Sequence, residues 1–148
     1  KVDTALYGRV TYLLMQSYWP TLLTDPAATP RELAHARWVE HVSKIVFSRT
    51  LSSADWNNSR LIKDDIAETL GEIKREQGLD LMIFGSPRLT HSLMHLGLID
   101  EYRLFLNPIV LGGGTPLFQD IKEWTKLELL GTKTFKAGVV GLHYQTIR

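Results

Sequence analysis

Three short segments pair an arginine with a glycine or a hydroxyl residue: Gly8-Arg9-Val10-Thr11, Ser48-Arg49-Thr50 and Gly85-Ser86-Pro87-Arg88. Residues of these types, in this order, suit a phosphate group. Glycine lets an anion approach the backbone closely. Arginine grips phosphate oxygens in a bidentate fork. A helix that starts just after the glycine adds unpaired N–H groups at the positive end of its dipole. One such corner alone is ordinary turn chemistry beside a solvated arginine. Three on one edge suit a ligand with several phosphates, such as a dinucleotide.

Other constellations are weaker. Gly112-Gly113-Gly114-Thr115-Pro116-Leu117 does not match G-x-G-x-x-G and follows Pro108 instead of opening a strand–helix unit. It reads equally as a flexible connector and as a loop whose backbone lies against a ligand, with Pro116-Leu117-Phe118 docking it. No P-loop lysine motif and no G-x-S-x-G elbow occur. His91 and His95 have metal-ligand spacing, but Ser92 stands where a general-base glutamate would and no carboxylate ligand is obvious, so no metal is expected. Asp64-Asp65 reads as a helix cap before a carboxylate pair. Tyr18, Trp19 and Trp56 read as core before stacking surfaces.

These residues need a frame. Thr4-Ala5-Leu6 reads as a strand stopping at Gly8, and Val10 to Ser17 as a helix with Val10, Leu13, Leu14 and Ser17 at helical spacing. Pro20 to Pro30 holds three of the six prolines and reads as a loop or lid. Thr29-Pro30-Arg31-Glu32 is a helix start with a capping box, running to about Val42. Lys44 to Phe47 is a short apolar strand. Asp64 or Asp65 caps a helix with Ile66, Ala67, Leu70 and Ile73 as its buried stripe, ended by Gly78. Leu79 to Phe84 is apolar except at Asp80, as expected of a central strand covered on both faces. Ser86 caps and Pro87 opens a helix closed by Gly97. Tyr102 to Leu106 is a strand, and Leu127–Phe135 with Val139–Ile147 forms a hairpin turning at Lys136-Ala137-Gly138. Strands alternating with helices, then a hairpin, give an α/β fold with a mostly parallel central sheet and an antiparallel C-terminal hairpin. In such sheets ligands bind at the carboxyl ends of the strands, where the three arginine corners fall.

Composition narrows the classes. The 148 residues fit one domain, and 44% apolar with 22% charged residues is the ordinary globular mix. A net charge of +1 argues against bulk electrostatic binding of nucleic acid. The absence of cysteine removes disulfides, thiolate metal sites and thiol nucleophiles, and fits a cytoplasmic protein. No stretch reaches ~18 apolar residues, so no membrane span is expected.

Gly8-Arg9-x-Thr11-Tyr12, Tyr18-Trp19-Pro20, Phe47-Ser48-Arg49-Thr50-Leu51, Phe84-Gly85-Ser86-Pro87, and Leu98-Ile99-Asp100-Glu101-Tyr102 through Asn107-Pro108-Ile109-Val110-Leu111-Gly112-Gly113-Gly114-Thr115-Pro116-Leu117-Phe118 occur in that order. By these residues the chain resembles the dihydrofolate reductase-like superfamily over essentially its whole length. It looks most like the branch holding the reductase domain of the bifunctional riboflavin-biosynthesis enzyme. The resemblance implies a three-layer dihydrofolate reductase-like fold, one domain over 1–148, and NADPH as hydride donor to a small heterocyclic substrate, pyrimidine- or pteridine-like. The nearest reaction is that of 5-amino-6-(5-phosphoribosylamino)uracil reductase. It further implies that Gly8, Arg9 and Thr11 meet the cofactor phosphates, and that Ser48 and Arg49 meet the adenosine 2′-phosphate. Gly85, Ser86 and Leu89 would follow the pyrophosphate and nicotinamide side. Relatives are often homodimers with late strands at the contact. Gly85-Ser86-Pro87 stands where dihydrofolate reductase has a run of glycines, which favours the riboflavin-like branch. Relatives also carry a strand and a loop before the position of Lys1 that line the nicotinamide and substrate pocket, so no residue here is assigned as proton donor. The competing expectations are a non-catalytic nucleotide-binding or regulatory module on the same scaffold and a structural dimer with vestigial pockets.

Overall fold

The computed structural model describes residues 1–121 and 123–147. It forms two compact units, residues 1–90 and a second beginning at His91. The first contains β1 (Val2–Gly8), α1 (Arg9–Leu22), α2 (Pro30–His41), β2 (Ser43–Phe47), β3 (Ser59–Ile62), α3 (Ile66–Ile73) and β4 (Asp80–Ile83). Helix α4 (Pro87–His95) spans the boundary, and β5 (Glu101–Leu106), β6 (Leu127–Thr134) and β7 (Val140–Thr146) follow.

In the first unit four parallel strands lie in the order β3-β2-β1-β4. The two inner strands are buried on consecutive residues, Ala5-Leu6-Tyr7 in β1 and Ile45-Val46-Phe47 in β2. Consecutive burial is the mark of a strand covered on both faces. β4, expected to be central from its apolar run, instead ends this sheet and is half-buried. β3, which has polar neighbours and only four residues, gave no periodic signal and completes the other edge.

Helix α1 starts at Arg9, one residue before the expected Val10, and runs past the expected Ser17 through Pro20 to Leu22, shortening the expected loop to residues 23–29. Proline is tolerated there because it costs one bond close to the helix end. The buried face of α1 also differs from the expected one. Tyr12 and Leu22 are buried and Met15 and Trp19 pack on the core, whereas Val10, Leu13 and Leu14 are exposed. Helix α2 has the expected capping box: Thr29 accepts from the Glu32 N–H, and the Glu32 carboxylate accepts from the Thr29 N–H at 2.8 Å. In α3 the expected stripe holds at Leu70 and Ile66, but Ala67 is exposed.

In the second unit α4 ends in a Schellman motif. Gly97 takes φ +64, its N–H donates to the Met94 carbonyl, and the Leu98 N–H donates to the Leu93 carbonyl at 2.9 Å. The three late strands form a separate antiparallel sheet in the order β5-β7-β6. The expected β6–β7 hairpin is present, with Gly138 at φ +80 in its turn.

Candidate functional site

A parallel sheet brings all its carboxyl ends to one rim. Register fixes how closely they meet: Gly8 pairs with Phe47, Phe47 with Ile62, and Leu6 with Ile83. Neighbouring strands lie about 4.8 Å apart. Gly8, Ser48, Lys63 and Phe84-Gly85 therefore leave the sheet side by side. Strand order reverses at β1, with β2 and β3 to one side and β4 to the other. That reversal falls between the ends of β1 and β4, the kind of place where open α/β sheets bind ligands.

The β1–α1 corner has an open helix N-terminus. Gly8 caps α1 in an extended conformation, it has no side chain to bond the first-turn N–H groups, and no acidic residue occupies the first turn. The unpaired N–H groups and dipole of α1 thus meet no carboxylate of their own helix. Arg9 is exposed and Thr11 half-buried. Tyr12 anchors the helix behind them: its hydroxyl accepts from the Trp56 N–H at 2.8 Å and donates to Ser59 Oγ at 3.3 Å.

At the end of β4, Gly85 and Ser86 both have positive φ, +62 and +57. Such angles are free for glycine and costly for serine. Ser86 is held there by a bond to the neighbouring strand end, its Oγ accepting from the Gly8 N–H at 2.8 Å. A Cβ on Gly8 would come within 2.9 Å of that oxygen, so a side chain here would have to turn the Ser86 hydroxyl away and break its bond. The expectation that the Ser86 side chain caps α4 is corrected. Its carbonyl receives the Thr90 N–H, while its hydroxyl serves β1 instead. Around Gly85 a Cβ would meet nothing within 4 Å, so this backbone is open to close approach. Leu89 is buried beneath, 3.6 Å from the place of a Gly8 Cβ.

The third corner joins β2 and β3. The Ser48 N–H donates to the Ile62 carbonyl, and Ser48 Oγ accepts from the N–H groups of Thr50 and Leu51 at 3.3 and 3.1 Å, a tight hydroxyl turn. Arg49 is exposed, and its Nε lies 3.6 Å from Asp64 Oδ1 at the end of β3. Asp65 stands at the cap position of α3 but has φ +51 and makes no side-chain cap bond, which corrects the expected carboxylate cap. The structure thus brings the eight expected residues, Gly8, Arg9, Thr11, Ser48, Arg49, Gly85, Ser86 and Leu89, to three corners of one rim. Asp64 joins them unannounced.

Elsewhere, the ring of His91 donates through Nε2 to the carbonyls of Pro116 and Leu117, tying the segment after the triple glycine to α4. Phe118 stacks edge-on against Tyr102. The glycines themselves lie exposed, with nothing within 4 Å of a Cβ at any of them. Lys44, expected only as the first residue of an apolar strand, is fully buried. Its ammonium donates to the carbonyls of Asn57, Val42 and Glu40 at 2.8, 3.0 and 3.3 Å and sits 4.6 Å from the Trp56 ring. Burial pulls its pKa down to about 8, against the attraction of Glu40. With its donors committed to backbone, Lys44 is a structural cation. Trp56 is buried as expected, its indole N–H donating to Glu40 at 2.8 Å, while Trp19 is half-buried and Tyr18 exposed.

The model of the RibD C-terminal domain family matches residues 1–141, which reaches across both units. The uncharacterized protein YyaP of Bacillus subtilis (strain 168) is 38% identical over 144 residues, covering 97% of this chain and 74% of YyaP. Among solved structures, a Shewanella sp. PV-4 protein assigned provisionally to riboflavin biosynthesis superposes with a TM-score of 0.76 at 19% identity, over 100% of this chain and 76% of that one. Acinetobacter baumannii RibD superposes with a TM-score of 0.63 at 15% identity, over 99% of this chain and 47% of that one. The fold is therefore α/β of the dihydrofolate reductase-like kind, a parallel sheet followed by antiparallel late strands, and the chain belongs to the RibD C-terminal domain family.

Proposed function

We propose that the chain is an NADPH-dependent reductase of a small heterocyclic substrate, pyrimidine- or pteridine-like, acting in the cytoplasm. The observation that carries this reading is the reversal of strand order between β1 and β4. It is flanked by the uncapped start of α1 and the bare backbone of Gly85, with Arg9 and Arg49 at neighbouring corners. These groups fit a pyrophosphate and a further phosphate. The bound dinucleotide supplies the hydride, and the protein supplies orientation and electrostatics.

In this reading Gly8, Arg9 and Thr11 receive the phosphates at the open N-terminus of α1. Ser48 shapes the turn that presents Arg49 to the adenosine 2′-phosphate. Gly85, Ser86 and Leu89 form the floor toward the nicotinamide, where a side chain on Gly85 would intrude. Ser86 accepts one bond from Gly8, so its hydroxyl hydrogen and its second lone pair are the parts left for a ligand. The working form is a homodimer joined through late strands, a reading supported by the exposed Phe105, Leu106, Ile109, Val110 and Leu111. Light scattering giving a monomer at micromolar concentration would remove that part.

Thermal unfolding with either dinucleotide tests the main reading. At a hundredfold excess over Kd, NADPH should stabilise by about 2.7 kcal/mol, a rise of roughly 5–10 °C for a chain of this size. NADH should raise it less. Equal shifts would remove the role given to Arg49, and no shift from either would remove the cofactor.

A further inference from the structure

Strands β2 and β3 pair in register up to Phe47 and Ile62. Arg49 and Asp64 each lie two residues beyond that last pair, on adjacent strand ends, and their side chains meet at 3.6 Å. Both side chains are largely exposed, 82% and 74%. The separation exceeds that of a good hydrogen bond, and an exposed ion pair contributes little to stability. The fold does not need this pair. What the pair does is place an anion beside the one arginine of the β2–β3 corner, with Lys63 and Asp65 as its chain neighbours. The left-handed backbone of Asp65 then turns the chain away into α3, leaving Asp64 at the corner.

We propose that Asp64 is a specificity-determining residue that holds down the preference of this rim for a 2′-phosphorylated dinucleotide. The inference rests on the dinucleotide reading above. A 2′-phosphate must take the Arg49 guanidinium from Asp64 and then sits a few ångströms from a carboxylate of like charge. A 2′-hydroxyl meets no such repulsion and donates a hydrogen bond to the same carboxylate. Arg49 and Asp64 thus pull the choice of cofactor in opposite directions, and their balance sets the margin between the two.

Calorimetric titration of the whole chain with NADPH and with NADH decides it, using the wild type, Asp64→Asn, Arg49→Ala and the double variant. Asp64→Asn should tighten NADPH by about three- to tenfold, the size of one like-charge contact in a solvated corner. It should leave NADH unchanged or slightly weaker. The gain should shrink at high salt and be smaller in the double variant, where the competition for Arg49 is gone and only the direct repulsion remains. An NADPH-to-NADH ratio unmoved by Asp64→Asn overturns the inference while leaving the cofactor reading intact. Failure of the wild type to bind either dinucleotide overturns the cofactor reading and this inference with it.

Discussion

The two sheets of this chain hold their chemistry in different places. In the parallel sheet every strand delivers its carboxyl end to the same rim, so residues far apart in sequence, Gly8, Ser48 and Gly85, become neighbours at an edge. In the antiparallel sheet strand ends alternate, and the polar groups meet on a face. There the Glu101 carboxylate accepts from His143 Nε2 at 2.7 Å and lies 3.4 Å from Arg103, on paired strands β5 and β7. Burial differs as sharply. Among the described residues every buried apolar side chain except Leu93 belongs to the first unit. A rim on a well-packed sheet gains rigid corners, while a face on a thin sheet gains exposed charge pairs that water already solvates.

Substitutions that separate stability from binding sharpen this contrast. The largest expected effect is at Lys44. Lys44→Ala leaves a cavity and three orphaned carbonyls and should cost about 3 kcal/mol in urea unfolding followed by tryptophan fluorescence. The pH dependence carries a sign as well. The folded pKa of about 8 lies below the usual 10.5, so the unfolded chain binds the extra proton between those values. This group therefore makes stability rise with pH across that window. Comparing the wild type with Lys44→Met isolates the slope, and parallel curves would mean that the ammonium is not desolvated.

At the rim the reverse pattern is expected. Arg9→Ala and Arg49→Ala should each cost about 1.5–3 kcal/mol in NADPH affinity while unfolding at nearly the wild-type urea concentration. Equal NADPH affinity in both variants and wild type would mean that the pocket is elsewhere. Ser86→Ala comes next. It removes the acceptor for the Gly8 N–H and should cost about 1–2 kcal/mol of stability. Gly8→Ala should be at least as damaging, because its methyl group meets Ser86 Oγ. The smallest effect belongs to the antiparallel face. His143→Gln should change stability by less than about 1 kcal/mol. The hydrogen bond from His143 holds the Glu101 carboxyl below its usual value. Its contribution is thus complete above about pH 4.5 and lost as pH falls through the lower folded value. A loss near that of Lys44→Ala would erase the distinction between the two sheets.

Much of this was legible in residues with strong local signals. The capping box at Thr29 and Glu32 and the glycines at 8, 85, 97 and 138 declared their turns, because those angles or contacts admit few other residues. What failed to show depends on neighbours distant in sequence. β3 is four residues long with polar flanks, and only its pairing with β2 makes it a strand. The apolar run of β4 looked like a central strand, but sheet position is decided by topology, not by composition. Val10, Leu13 and Leu14 have helical spacing yet lie off the buried face, since Tyr12 and Trp19 claim it through contacts with Trp56 and His35. The arginine corners could be read because strand ends follow from strand positions. Asp64 could not, because its partner is fifteen residues away and meets it only through the register of two strands.

The bond between the Gly8 amide and the Ser86 hydroxyl links two positions seventy-eight residues apart. Their evolutionary freedom is therefore joint. A lineage that gains a methyl group at the first position must turn aside or lose the hydroxyl at the second, for which alanine suffices. Sequences of close relatives should show the two sites drifting as a couple, with the combination of alanine and serine missing.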